Sequence, residues 1–134
     1  VNFSISPETQ VIDFGKFNLL DIRRHTMSKT FSIKTTKSQN DQCTDGFKVS
    51  SSFYTEETLV EEDKALLIGN GLKLRLLDEN ASPYTFNKYA EYADFTSDML
   101  IYEKTYTAEL SSTPGTPIAA GPFDTVVLFK INYN

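Results

Sequence analysis

Tryptophan is absent from this sequence, histidine and cysteine occur once each, and no apolar run is long. Each shortage removes a class of function. A Ser/His/Asp triad would have to use His25 in "DIRRHTM", yet no G-x-S-x-G nucleophile motif accompanies it. Beside Arg23 and Arg24, His25 reads as a solvated loop residue. One His and one Cys are too few ligands for zinc. The acidic cluster Glu56, Glu57, Glu61, Glu62 and Asp63 lacks the spaced Asp/Asn/Gly pattern of a calcium loop and reads as charged surface. The glycines punctuate turns, and none forms a phosphate-cradling loop. The expectation is a protein that is not an enzyme, with no catalytic residue, no cofactor and no metal.

No apolar stretch approaches the roughly 18–20 residues that span a bilayer, so no membrane span is expected. A net charge of -5 argues against nucleic acid, whose phosphates need a basic patch. The opening "VNFSIS" is not a secretory signal, and a start on Val rather than Met indicates a processed or excised chain. Cys43 lies in the polar stretch "KSQNDQCTDG". It is either a free surface thiol or half of a disulfide whose other half lies upstream of Val1.

What remains is aromatic and alternating. Ten Phe and seven Tyr stand among 134 residues, 40% of them apolar, enough for one domain with a real core. Aromatic and β-branched residues favour strands. "VNFSIS" and "TQVIDFGKF" read as short strands broken near Pro7. "SKTFSIKTT" alternates Phe31, Ile33 and Thr35 against Ser32 and Lys34. "FKVSSSFY" follows Gly46, with Phe47, Val49, Ser51 and Phe53 on one face. "KALLIGNGLKLRLLDEN" holds two strands hinged at Gly69-Asn70-Gly71, with Leu72, Leu74 and Leu76 inward and Lys73 and Arg75 outward. "EETLVEED" reads as a solvated acidic connection. "SDMLIYEKTYTAEL" turns Leu100, Tyr102, Tyr106, Ala108 and Leu110 inward. Seven or eight such strands with no convincing helix predict an all-β sandwich of immunoglobulin-like type, 1–134 forming a single domain.

The final fourteen residues, "GPFDTVVLFKINYN", alternate without a break. Phe123, Thr125, Val127, Phe129, Ile131 and Tyr133 share one face, and the pattern predicts a strand from Gly121 to Asn134. Termini are ordinarily frayed and polar, so this placement asks for an explanation.

These ends resemble the pilin subunits of chaperone–usher fimbriae of the type 1 and P kind. In that family a Tyr stands next to last and a Gly fourteenth from the end, as Tyr133 and Gly121 do here. "VIDFGKF" is similar to the family's apolar-x-apolar-Gly segment, and "GLKLRLLDENASPYTF" to its central strand and turn. "CTDGFKVSSSF" resembles the stretch carrying the second pilin cysteine, whose partner would fall at or just before Val1. The N-terminal donor extension of a polymerising subunit is not seen. The chain therefore reads as the pilin domain of a two-domain tip adhesin, or as a subunit whose extension has been removed.

The resemblance implies an immunoglobulin-like sandwich lacking its last strand, completed by a donor strand. A periplasmic chaperone would supply that strand first, and a neighbouring subunit would replace it at the outer-membrane usher. The residues implied in the groove are Gly121, Phe123, Val127, Phe129, Ile131, Tyr133 and Asn134, the last through its carboxylate. The product would be a fimbrium on the bacterial cell surface, reached via the periplasm and serving attachment, with a host receptor reached through an adhesin domain. A competing reading is a self-contained carbohydrate-binding sandwich that stacks sugars on Tyr84, Tyr89 and Tyr92 of "SPYTFNKYAEYADF".

Overall fold

The computed structural model describes residues 3–7, 9–37 and 46–133. Alternating side chains build its strands: β1 (Phe3–Ser6), β2 (Met27–Lys37), β3 (Phe47–Tyr54), β4 (Leu59–Val60), β5 (Ala65–Gly69), β6 (Leu72–Leu77), β7 (Ala90–Phe95), β8 (Ile101–Ser112) and β9 (Leu128–Tyr133). They form a six-stranded sheet in the order β1-β2-β8-β6-β5-β4 and a three-stranded sheet in the order β7-β3-β9. Every pairing is antiparallel. Ile33, Leu74, Leu76, Tyr106 and Ala108 of the larger sheet meet Val49, Phe53, Tyr92 and Phe95 of the smaller in one buried cluster. This is the all-β sandwich that the period-two pattern predicts.

Several expectations need correction. The terminal strand spans Leu128–Tyr133 rather than the whole stretch from Gly121. Its partner β3 ends at Tyr54, which pairs with Leu128, so no ladder is on offer further back. The segment 10–18 is not a strand. Gly15 has φ +71, and its N–H donates to Asp13 Oδ1 at 2.7 Å, which turns the backbone there. A helix not expected from the sequence, α1 (Leu19–Arg24), follows. Asn18 caps it by accepting from Leu20 N–H at 2.9 Å, Asp21 lies in its first turn and Arg23 and Arg24 in its last. His25 follows α1, exposed, its backbone N–H bonded to Asp21 O.

The "solvated" acidic connection contains the short strand β4 and then three left-handed residues, Glu61, Glu62 and Asp63, with φ of 57, 58 and 66. That turn carries the Glu61 carboxylate onto Lys73 Nζ (2.9 Å) and Arg75. Lys73, expected to face solvent, is consequently only 9% exposed. Leu100, expected inward, precedes β8 and is 39% exposed.

Candidate functional site

Both sheets leave an edge open. β9 is the last strand of the smaller sheet and, among the described residues, forms a ladder on one side, with β3, from Val49↔Tyr133 to Tyr54↔Leu128. In the larger sheet, β1 covers only the Lys34–Lys37 end of β2. From Met27 to Ile33 the edge of β2 has no strand beside it among the described residues; Gln10 Nε2 donates to Ser32 O there at 2.7 Å.

Aromatic contacts tie these borders at two points. Phe3 of β1 meets Tyr133 of β9 edge-on, their centroids 4.9 Å apart. Phe17, just before α1, approaches Phe123 at 6.0 Å. Half-buried apolar side chains of both borders pack on the same core and make up a seam: Ile5, Ile12, Phe14 and Phe31 from one border, Val127, Phe129 and Ile131 from the other. The side chains behind them, Ile33, Val49, Phe53 and Tyr106, are fully buried. Tyr106 spans the back of the seam, stacked on Phe31 at 5.4 Å and facing Phe129 at 6.4 Å. Phe129 also packs on Phe53 (5.4 Å) and Tyr92 (5.7 Å).

The row anticipated from the sequence is thus largely assembled here. Val127, Phe129 and Ile131 point into the main core, whereas Phe123 joins a second cluster around Ile22, Leu72 and Leu110. Tyr133 closes one end and is 39% exposed. Gly121 has φ +132, and a Cβ there would meet nothing within 4 Å, so backbone conformation rather than crowding calls for glycine. Asn70 Nδ2 holds this point by donating to the carbonyls of Gly121 and Pro122, at 3.3 and 3.1 Å. Asn134 and Cys43 lie outside the described residues. The opposite border, Ile5, Ile12, Phe14 and Phe31, was not assigned to the groove from the sequence.

The alternate side chains of β9 and the segment before it face away. Val126 and Leu128 are 73% and 50% exposed, and Lys130 Nζ lies 3.9 Å over the Tyr54 ring.

The three tyrosines considered for sugar stacking do not form a surface platform. Tyr92 is core, 3% exposed, with its hydroxyl 3.3 Å from Thr35 Oγ1. Tyr84 is half-buried against Phe53 at 5.3 Å, and burial pushes its phenol up to about 12. Burial likewise raises the phenols of Tyr92 and Tyr106. Tyr89 alone of the three is exposed, at the rim of an open depression shared with Lys88, Glu91 and Lys104. Among the described residues no group of three His, Cys, Asp or Glu side chains is placed to hold a metal, and no helix is long and apolar enough to cross a membrane.

No protein-family model matches the chain. Its fold is nonetheless that of known pilins. The P pilus rod subunit PapA superimposes with a TM-score of 0.77 at 19% identity, covering 98% of this chain and 99% of that one. A subunit from a chaperone–usher pilus structure, described for the molecular basis of rod uncoiling, gives 0.70 at 19% identity, over 98% of this chain and 87% of that one. The sandwich is therefore the immunoglobulin-like fold of the pilins.

Proposed function

We propose that this chain is a structural subunit of a chaperone–usher fimbrium and that its seam receives a strand from another chain. The observation that carries this is β9, an edge strand whose inward Phe129 and Ile131, continued by Val127 just before it, are half-buried beside a second edge on β2 left unfilled among the described residues. An exposed edge is an association hazard that isolated domains cover or disrupt. Each dehydrated backbone group left unpaired costs about 1–3 kcal/mol, and apolar area left open forfeits roughly 25 cal/mol per Å². Against a total margin of about 5–15 kcal/mol, those losses favour a fold that is finished by a partner.

A strand laid along β9 repairs both losses, with main-chain hydrogen bonds for affinity and alternate side chains in the seam for specificity. The likeness to PapA supports a subunit of this assembly type. The partners are then a periplasmic chaperone, an outer-membrane usher and neighbouring pilins, and the destination is the bacterial surface, where the fimbrium serves attachment. The activity is assembly, not catalysis.

The test is thermal unfolding of the chain alone and with a peptide of alternating apolar residues that copies the pattern of a pilin N-terminal extension. A low, broad transition that rises by tens of degrees after uptake supports the reading. A sharp transition unmoved by the peptide means a complete domain and overturns it.

A further inference from the structure

We propose that Asn70-Gly71 is a site of spontaneous deamidation, restrained while Asn70 clasps the segment that leads to β9, and that loss of the amide undoes the clasp. Among the asparagines of the sequence, Asn70 is the one followed by glycine. The pair forms the two-residue loop between β5 and β6, flanked by the paired Gly69 and Leu72, with φ of +55 and +77. Two left-handed residues in such a loop make a type I′ turn, which asparagine–glycine and aspartate–glycine both suit. The turn itself therefore does not require the amide.

The clasp does. Asn70 Nδ2 donates to the carbonyls of Gly121 and Pro122, at 3.3 and 3.1 Å. The backbone carbonyls of Asn70 and Gly71 accept from Ala119 N–H at 3.0 Å and from Thr113 N–H at 2.8 Å. One turn thus holds the segment 113–122, and residues 121–127 beyond it belong to no ladder. A carboxylate at position 70 accepts hydrogen bonds and donates none, so it would face two carbonyl oxygens with nothing to offer them.

The chemistry needs only water. The Gly71 amide nitrogen, losing its proton, attacks the side-chain carbonyl carbon of Asn70. The new C–N bond closes a five-membered imide, the bond to Nδ2 breaks and ammonia leaves. Water then opens the imide at either carbonyl, giving aspartate or isoaspartate. Glycine leaves the attacking nitrogen unhindered, because it has no Cβ. In the folded chain both reactants are fixed. Nδ2 is held by its two acceptors, and Gly71 packs so closely on Pro117 that a Cβ would lie 2.3 Å from that carbonyl oxygen. Ring closure therefore waits on local opening.

The purified chain, folded and in guanidinium chloride, is incubated side by side at mildly alkaline pH and mapped by peptide mass spectrometry. Conversion at Asn70 is expected in both, at least roughly tenfold slower in the folded chain, the range for opening two hydrogen bonds. Asn70→Asp keeps a compatible turn and so folds; it is expected to melt about 3–6 °C lower. Its Ala119 N–H should also exchange with solvent faster, which a change confined to the turn would not produce. No conversion in denaturant, or equal rates in the two states, overturns the restrained site. An Asn70→Asp chain with unaltered melting and exchange overturns the unclasping. Neither result touches the strand-acceptor reading, which is tested separately by peptide uptake.

Discussion

Phe3 and Tyr133 meet ring edge to ring face, at an interplanar angle of 66° and 4.9 Å between centroids, although their strands share no ladder. Phe47 and Phe95 complete the group, lying 5.5 and 5.3 Å from Phe3. Side chains alone therefore close this end of the seam. Edge-to-face pairs contribute about 0.5–1.5 kcal/mol beyond their buried area. A double-mutant cycle of Phe3→Ala and Tyr133→Ala, read by urea unfolding, is expected to give a coupling in that range. Strictly additive losses would mean the two rings do not hold each other.

Neighbouring residues on β9 should behave oppositely. Phe129 faces three core rings, whereas Leu128 is half exposed on the other face. Phe129→Ala is expected to lose about 2–3 kcal/mol, below the range for a fully buried ring. Leu128→Ala should stay within about 0.5 kcal/mol. Phe129→Asp should also abolish capture as a chaperone complex; normal recovery of that complex would count against the assignment of the seam.

Two glycines with the same backbone angle offer a further contrast. Gly71 and Gly115 have φ of +77 and +78, but a Cβ on Gly71 would lie 2.3 Å from the Pro117 carbonyl oxygen, while one on Gly115 meets nothing. Gly115→Ala should cost only the left-handed strain, about 1 kcal/mol. Gly71→Ala should cost distinctly more, since backbone must move. Equal denaturation midpoints for the two variants would contradict the packing described.

Acid stability should depend on Glu61. Burial pushes its carboxyl up, but the hydrogen bonds and charges of Lys73 and Arg75 outweigh this and hold it below the ordinary 4.5. A group depressed in the folded state stabilises above its unfolded value, and that contribution fades as pH falls through the folded one. Glu61→Gln should therefore lower the melting temperature near neutrality and flatten its decline below about pH 4.5. An unchanged acid limb would show the cluster adds nothing; the carboxylate is a third exposed, so a modest effect is expected.

The strands that the sequence revealed are mostly those whose own residues alternate, such as Phe31, Ile33 and Thr35 of β2 and Phe129, Ile131 and Tyr133 of β9. β7 escaped because its ladder with β3 shifts register between Val49 and Ser50, which buries both Tyr92 and Ala93 and breaks the period of two. α1 escaped because six residues with one buried side chain, Ile22, carry no measurable periodicity; only the Asn18 cap announces it. In the seam, the β9 border was legible from its own row. The facing border was not, because Phe14, Phe17 and Phe31 belong to a coil segment and to another sheet, and no local rule pairs them with residues near the end of the sequence.

That pairing across the sequence also bears on how the chain folds. β5 and β6 are joined through a tight turn, whereas β9 pairs with β3 across most of the sequence, from Val49↔Tyr133 to Tyr54↔Leu128. Distant contacts of this kind slow the search for the native state. Until β9 docks, Phe53, Tyr92 and Tyr106 lack the ring of Phe129, and one side of β3 is bare. A chain caught before that docking presents these rings and a bare strand edge to its neighbours, and its loss to aggregation rises with concentration.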